Sequence, residues 1–287
     1  MAETRSTVLV TGASGTVGRE LVLALRRLDV QVREARSSLD PSSAADRCKF
    51  AYEEPETWGP ALDNVDRVFL MRPPAISNIK GVIAPFIRYM SLAPIRQVVV
   101  LSVMGVNPAM PHWQLEREVR ASGLPWTMLR PAFFMQNLQT AYLESIRDHD
   151  RIRLPAGNGR TSFVDTRDVA EVAAQSLFDP DYRGGKAFTL TGGEALSWTQ
   201  VAAALSAELD RSITYQKIGL LQARKELIAA NLPQAYVNIQ LLINIVAKVG
   251  LAAKITETIP QLLDRPAGNL ASYLHSHREN WVNLPTT

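Results

Sequence analysis

The stretch Thr7-Val8-Leu9-Val10-Thr11-Gly12-Ala13-Ser14-Gly15-Thr16-Val17-Gly18 constrains this chain more than any other. An apolar run reads as a buried strand, the glycines that end it are spaced by three, and Val17, Leu21, Leu25 and Leu28 then recur at helical spacing among Arg19, Glu20, Arg26 and Arg27. Each glycine has its own task in such a turn. Gly12 lets the chain leave the strand sharply, Gly15 lets backbone N–H groups approach a diphosphate, and Gly18 lets the helix lie close to the sheet. The helix start then offers unpaired N–H groups and the positive end of its dipole to an anion. A tightly packed strand-turn-helix that holds no ligand would use the same glycines.

Further strand-like runs at residues 30–35, 49–52 (weakly), 68–71, 98–101 and 127–129 are separated by segments long enough for crossover helices. The expected fold class is α/β, a Rossmann-type doubly wound parallel sheet with a smaller, mostly helical carboxyl-terminal substrate part. Residues 1–155 are expected to form the dinucleotide-binding domain, with parts of 160–190 returning to it, and residues 190–287 the smaller substrate-binding part. The linker-like stretch 154–159 suggests the boundary. Ligands on such sheets sit beyond the carboxyl ends of the strands. The residues to watch are therefore 12–17, 36–38, 71–74, 102–105 and 131–137.

The charge balance of 31 Lys plus Arg against 28 Asp plus Glu, with no basic block, argues against a nucleic-acid footprint. The single cysteine, Cys48, cannot form an internal disulfide, and no signal-peptide pattern opens the chain, so a reducing cytoplasmic setting is expected. Cys48 itself reads as a small buried apolar residue rather than a nucleophile. The apolar stretch 236–253 raises the question of a membrane span, but Asn238, Gln240, Asn244 and Lys248 interrupt it, the last three on one stripe. It reads as an amphipathic helix. Its apolar face needs cover from the chain itself, a substrate or a second subunit, and packing within the monomer is the default expectation.

Three segments together resemble a known family: the opening glycines, residues 115–137 (LEREVRASGLPWTMLRPAFFMQN) and residues 162–170 (SFVDTRDVA). In order and spacing they are similar to the NmrA-like branch of the atypical short-chain dehydrogenases/reductases, from residue 7 to about 215 and more weakly through residues 273–281. The resemblance implies a Rossmann domain binding NADP(H) or NAD(H) and a smaller part that closes over a substrate. Members include quinone and azo reductases, isoflavone-type and imine reductases, and redox-sensing regulators without turnover. Family likeness therefore indicates the cofactor class better than the reaction.

On this basis the cofactor-binding candidates are Thr11, Gly12, Ser14, Gly15, Thr16, Val17, Gly18, Arg36, Ser37, Met71, Arg72 and Ser102. Two signals compete at the end of the second strand. Glu34 lies where a carboxylate would hold the ribose 2′-hydroxyl of NAD, whereas Arg36 with Ser37 and Ser38 matches the family's phosphate loop. We expect NADP(H) rather than NAD(H), with Arg33 adding to the field. For catalysis, the Tyr-x-x-x-Lys pair of ordinary short-chain dehydrogenases is replaced by His112 and Glu116. The catalytic candidates are His112, as a proton source or a structural residue at a helix start, and Ser102, which either hydrogen-bonds substrate or nicotinamide amide or caps a turn. Glu116 either orients His112 or faces solvent. Asp165 and Asp168 read as caps at a helix start.

Phe133, Phe134, Asn137, Phe163 and Tyr236 are the substrate-binding candidates, and their character suggests an apolar or aromatic small molecule. The expected function is a reductase passing hydride to a quinone, imine or enone-like acceptor, as a monomer or homodimer without nucleic-acid or membrane partners. A non-catalytic NADP(H)-sensing regulator is the alternative.

Overall fold

The computed structural model describes residues 6–28, 30–39, 46–182, 184–232 and 234–282. They group into two compact units, Met1–Pro131 with Thr166–Leu190, and Ala132–Asp165 with Thr191–Thr287. The first crossing comes at residue 131, well before the expected 155. The strand that ends at Pro131 belongs to one sheet, and Phe133–Phe134 pairs with Arg160–Val164 in another.

The first unit is built from β1 (Thr7–Val10), α1 (Thr16–Arg27), β2 (Gln31–Arg36), β3 (Arg47–Lys49), α2 (Trp58–Leu62), β4 (Arg67–Met71), α3 (Ala84–Met90), β5 (Gln97–Leu101), α4 (Pro111–Ala121) and β6 (Trp126–Pro131). The chain returns later with helix Thr166–Phe178, which packs against α1, and strand Lys186–Leu190. The sheet order is Lys186–Leu190, β6, β5, β4, β1, β2, β3, and every pairing is parallel. Val8, Leu9 and Val10 are buried, as are Val98, Val99 and Val100, which is the near-continuous apolar run a sheet covered on both faces demands. Helix α1 hides Val17, Leu21, Val22 and Leu25 and leaves its arginines outside. From β1 the order runs outward to β2 and β3 on one side and to β4, β5 and β6 on the other. The reversal thus falls between β1 and β4, and their carboxyl ends open the crevice where such folds bind ligands.

The third strand occupies Arg47–Lys49 rather than 49–52. The Phe50 amide still donates to the Arg36 carbonyl at 2.8 Å, but Tyr52 has left the ladder. Its ring packs edge-on against Phe50 and Phe86 at 4.9 and 5.7 Å, so aromatic burial wins over strand extension.

The second unit holds two small sheets. In one, Arg160–Val164 lies between Phe133–Phe134 (parallel) and Ala195–Ser197 (antiparallel); in the other, Arg151–Leu154 pairs in parallel with Thr214–Lys217. Met135, Leu138, Ile152, Phe163, Trp198, Tyr273 and Trp281 belong to its core. The Trp281 ring N–H is satisfied by the Leu138 carbonyl at 3.0 Å. The 236–253 segment forms helix Gln234–Lys248, in which Asn238 and Lys248 are exposed as expected but Asn244 is not. Asn244 is buried, its amide donating to the Gln240 carbonyl at 2.8 Å, while Leu242, Ile245 and Val249 are 44, 39 and 62% exposed. Packing within the monomer is therefore partial: Val237 and Ala247 are buried and Val246 packs on the core, and the intrahelical amide bond lets Asn244 turn inward with them. Among the described residues no helix is long and apolar enough to cross a membrane.

Candidate functional site

The loop from Gly12 to Gly18 sits at the carboxyl end of β1, and its three glycines divide into two kinds. Gly12 has φ +64°, and a Cβ there would stand 2.6 Å from Met71 Sδ. A Cβ on Gly18 would lie 2.1 Å from the Gly12 carbonyl oxygen, so close approach of α1 to the loop requires glycine at that place. Gly15 differs. Its φ of −76° suits any residue, and an added Cβ would meet only the Gly12 oxygen, at 3.1 Å. The space over Gly15 is open, not packed. As N-cap of α1 it brings no side chain to the helix start, no other side chain caps that start among the described residues, and the first turn carries no acidic residue. The first-turn amides and the helix dipole are left for an outside anion, so the residues fit the diphosphate of a dinucleotide.

The loop candidates do not all point into this cradle. Ser14 is exposed and Thr16 half-buried, but Val17 is buried in the core and can offer only its amide. Thr11 is buried as a strut: its hydroxyl donates to the Phe69 carbonyl at 2.9 Å and accepts from the Met71 amide at 2.9 Å. The Tyr52 hydroxyl closes the same knot by donating to the Met71 carbonyl at 2.7 Å. Burial pushes that phenol well above its ordinary range, so it stays a donor. Thr11 thus ties the ends of β1 and β4 together, and its side chain is spent on that task.

At the end of β2 the two competing signals meet in one cluster. The Glu34 side chain is 4% exposed, with Arg26 Nη2 at 2.9 Å, Arg36 Nη2 at 2.5 Å and Arg47 Nε at 3.6 Å. Glu34 is consumed as an internal counterion and does not extend toward a ribose. Three arginines share that carboxylate and the neighbouring Asp46, which Arg26 also meets, so the cluster keeps a surplus positive charge. Arg36 is partly exposed, its Nε is without a partner, and the exposed Ser37 follows it.

Beyond β5, Ser102 is buried and its hydroxyl donates to Glu116 at 2.7 Å. Glu116 also receives Arg130 through Nε at 2.9 Å and Nη2 at 2.6 Å, and Arg120 at 3.1 Å. Burial alone would push the Glu116 carboxyl up, but the hydrogen bonds from Arg130 and Ser102, with the charges of Arg130 and Arg120, hold it below the ordinary range. Neither expectation for Glu116 survives: it lies inside the protein, directed at Ser102 and Arg130 rather than at His112 or solvent. Ser102, with its proton committed, keeps acceptor lone pairs and is not placed to donate to a substrate oxygen.

His112 is half-buried on the first turn of α4. Burial, reinforced by the Arg72 charge and opposed by Glu116, lowers its pKa from 6.5 to about 4. Near neutral pH the ring is therefore an uncharged donor and acceptor rather than an imidazolium acid. Arg72 follows β4 and is buried, its Nη1 donating to the carbonyls of Pro73, Pro74 and Ile76 at 2.9, 3.0 and 2.8 Å. Met71 covers Gly12. Cys48 is half-buried, and burial pushes its thiol up, away from nucleophilic use.

The substrate candidates lie in the second unit. Phe133, Phe134, Asn137 and Tyr236 are half-buried, but Phe163 is 1% exposed, packed edge-on against Phe133 at 5.4 Å and Trp198 at 5.5 Å. Phe163 is a core residue, because inward positions of a strand sandwiched in its sheet must be filled. Tyr142 and Trp198, which sequence reasoning passed over, complete this aromatic cluster with rings 5.5 Å apart. Arg130 was missed as well. Only its separation by one strand from the Ser102 turn hints that it would meet Glu116.

The NmrA-like family model matches residues 98–274, and an NAD(P)H-binding model matches residues 12–180. The chain is 31% identical to an NAD(P)H azoreductase from Xenophilus azovorans, over 94% of this chain and 97% of that one. It is 30% identical to a (4-alkanoyl-5-oxo-2,5-dihydrofuran-3-yl)methyl phosphate reductase from Streptomyces griseus, over 95% of this chain and 98% of the other. Its fold matches that of an NADPH-dependent quinone oxidoreductase from Escherichia coli with a TM-score of 0.80 at 21% identity, covering 95% of this chain and 99% of that one. With the amide cradle at the switch point of the sheet, these matches mean that the chain belongs to the NmrA-like family and is an NAD(P)H-dependent oxidoreductase.

Proposed function

We propose that the protein is an NADP(H)-dependent reductase that passes hydride to an apolar quinone, imine or enone-like small molecule without a Tyr-x-x-x-Lys pair. The observation that carries this reading is the state of α4. Where the acid pair of ordinary short-chain dehydrogenases would stand, the helix offers a neutral His112 and a Glu116 held internally by Ser102 and Arg130. A ketone-to-alcohol reaction needs a strong general acid, whereas a quinone or an iminium accepts hydride with little help, so positioning then supplies most of the catalysis. The reductions named by the azoreductase and dihydrofuranone relatives fit that class of acceptor.

The cradle amides of residues 15–18 would hold the diphosphate, and the surplus charge around Glu34, with Arg36 foremost, would hold a 2′-phosphate. The lone pairs of Ser102 would accept from the nicotinamide carboxamide. Phe133, Phe134, Asn137 and Tyr236 of the second unit are the candidates to contact the acceptor. The bound cofactor supplies the hydride; the chain's part is to orient and to exclude water.

Steady NADPH oxidation, followed by absorbance with a panel of small quinones, cyclic imines and enones, tests the proposal. Turnover with at least one acceptor, and slower turnover with NADH, is expected. Tight NADP(H) binding with no turnover on any acceptor would overturn the reductase and leave the cofactor-sensing regulator.

A further inference from the structure

Among the described residues nothing neutralises the charge of Arg72. Its side chain is 7% exposed, and among the described residues no carboxylate pairs with it. Three loop carbonyls fasten Nη1. Among the described residues the Nε is buried without a partner and Nη2 makes no hydrogen bond. A buried guanidinium left in this state is costly unless an anion or a strong acceptor joins it. Desolvation accordingly pushes its pKa down.

The Arg72 charge acts on His112, whose ring also makes no hydrogen bond among the described residues. Arg72 follows β4 and His112 opens α4 after β5, and among the described residues neither His112 nor the Nε and Nη2 of Arg72 has a hydrogen-bond partner. The Gly12 turn is covered by the neighbouring Met71.

We propose that Arg72, assisted by His112, binds the oxygen of the hydride acceptor and stabilises the negative charge that gathers there. This deepens the reductase reading and rests on it. As hydride from the nicotinamide adds to the acceptor carbon, the displaced π pair comes to rest on the conjugated oxygen. The cofactor is oxidised by two electrons, the acceptor is reduced by the same two, and water later supplies the proton. Arg72 supplies charge without giving up a proton, which is the role left vacant on α4. The ligand class follows: planar acceptors with a carbonyl or other oxygen at the reacting end, and aromatic carboxylates as mimics of the oxyanion.

The test is equilibrium binding of 2-naphthoate to the protein saturated with NADP+, by calorimetry. Wild type is expected to bind it in competition with a quinone. A charge-assisted bond of roughly 1.5–3 kcal/mol predicts that Arg72→Gln weakens naphthoate by about tenfold or more. Arg72→Lys should recover part of the loss, and His112→Gln, which leaves the 73–76 loop bonds intact, should weaken it by about threefold. NADP+ affinity should change less than twofold in all three. No naphthoate binding by wild type overturns the proposal, as does an Arg72→Gln variant that binds it normally. An NADP+ affinity that falls in parallel also overturns it, since Arg72 would then serve a cofactor phosphate. Failure of the quinone panel with naphthoate binding intact would instead sink the reductase reading, and with it the hydride-acceptor role, leaving Arg72 an anion site.

Discussion

Alanine at Gly15 and alanine at Gly18 should fail in opposite ways, although both remove a glycine from the same turn. At Gly18 the new Cβ would sit 2.1 Å from the Gly12 carbonyl oxygen, 2.8 Å from its carbonyl carbon and 2.9 Å from Ala13 Cα. All three are backbone atoms and cannot swing aside. The first distance is more than an ångström short of the 3.4 Å of ordinary contact, so α1 must lift from the loop. Overpacking of this kind costs about 1–3 kcal/mol, and immovable neighbours put it at the upper end. With about 2–4 °C lost per kcal/mol in chains of comparable size, Tm should fall by roughly 6–12 °C. At Gly15 the backbone already suits alanine, and the only close atom is 3.1 Å away. Its Tm should hold or rise slightly, because alanine has less unfolded-chain freedom to lose. The methyl group instead fills the space that a diphosphate needs, and NADPH affinity should drop by about tenfold or more. Thermal unfolding by circular dichroism, paired with calorimetric titration of NADPH, reads both outcomes. A Gly18→Ala protein as stable as wild type would refute the packing argument, and a Gly15→Ala protein with undiminished affinity would refute the cradle.

Arg36→Ala should weaken NADPH by about tenfold or more and NADH by much less; equal weakening of the two in fluorescence titrations would remove Arg36 from the 2′-phosphate. Glu116→Gln leaves Arg130 without its carboxylate and should cost about 1–3 kcal/mol in urea unfolding, discounted from a fully buried pair because Arg130 is 27% exposed; unchanged stability would reduce the cluster to an ornament. His112 stays neutral when folded, with its pKa near 4 against 6.5 unfolded. The unfolded chain therefore binds the extra proton as pH falls between those values, and stability drops in that window while remaining intact above it. Wild type should lose about 2–3 kcal/mol more than His112→Gln between pH 7 and pH 4, and parallel losses in the two proteins would contradict the buried neutral ring.

Much of the first unit was legible because its signals are local. The apolar run of β1, the glycine spacing and the helical period of α1 each depend on neighbours in sequence. What escaped depends on partners far along the chain. Glu116 meets Ser102 and Arg130, each 14 residues away, and no periodicity on α4 records that meeting. Glu34 and Arg36 looked like rivals for one ribose, yet they are two residues apart on the same face of β2 and answer each other. Phe163 was read as a pocket wall by its aromatic character, which serves a core equally well. The inward turn of Asn244 was illegible for the same kind of reason, since its amide is satisfied within its own helix and the usual cost of burying it vanishes.

The Thr11, Tyr52 and Met71 knot carries a consequence for how affinity arises here. Because the floor of the crevice is braced by the protein's own hydroxyls and carbonyls, its shape is set when the chain folds and not when a guest arrives. Empty and loaded forms should therefore superimpose along that seam, and whatever rearrangement accompanies turnover has to originate elsewhere in the molecule.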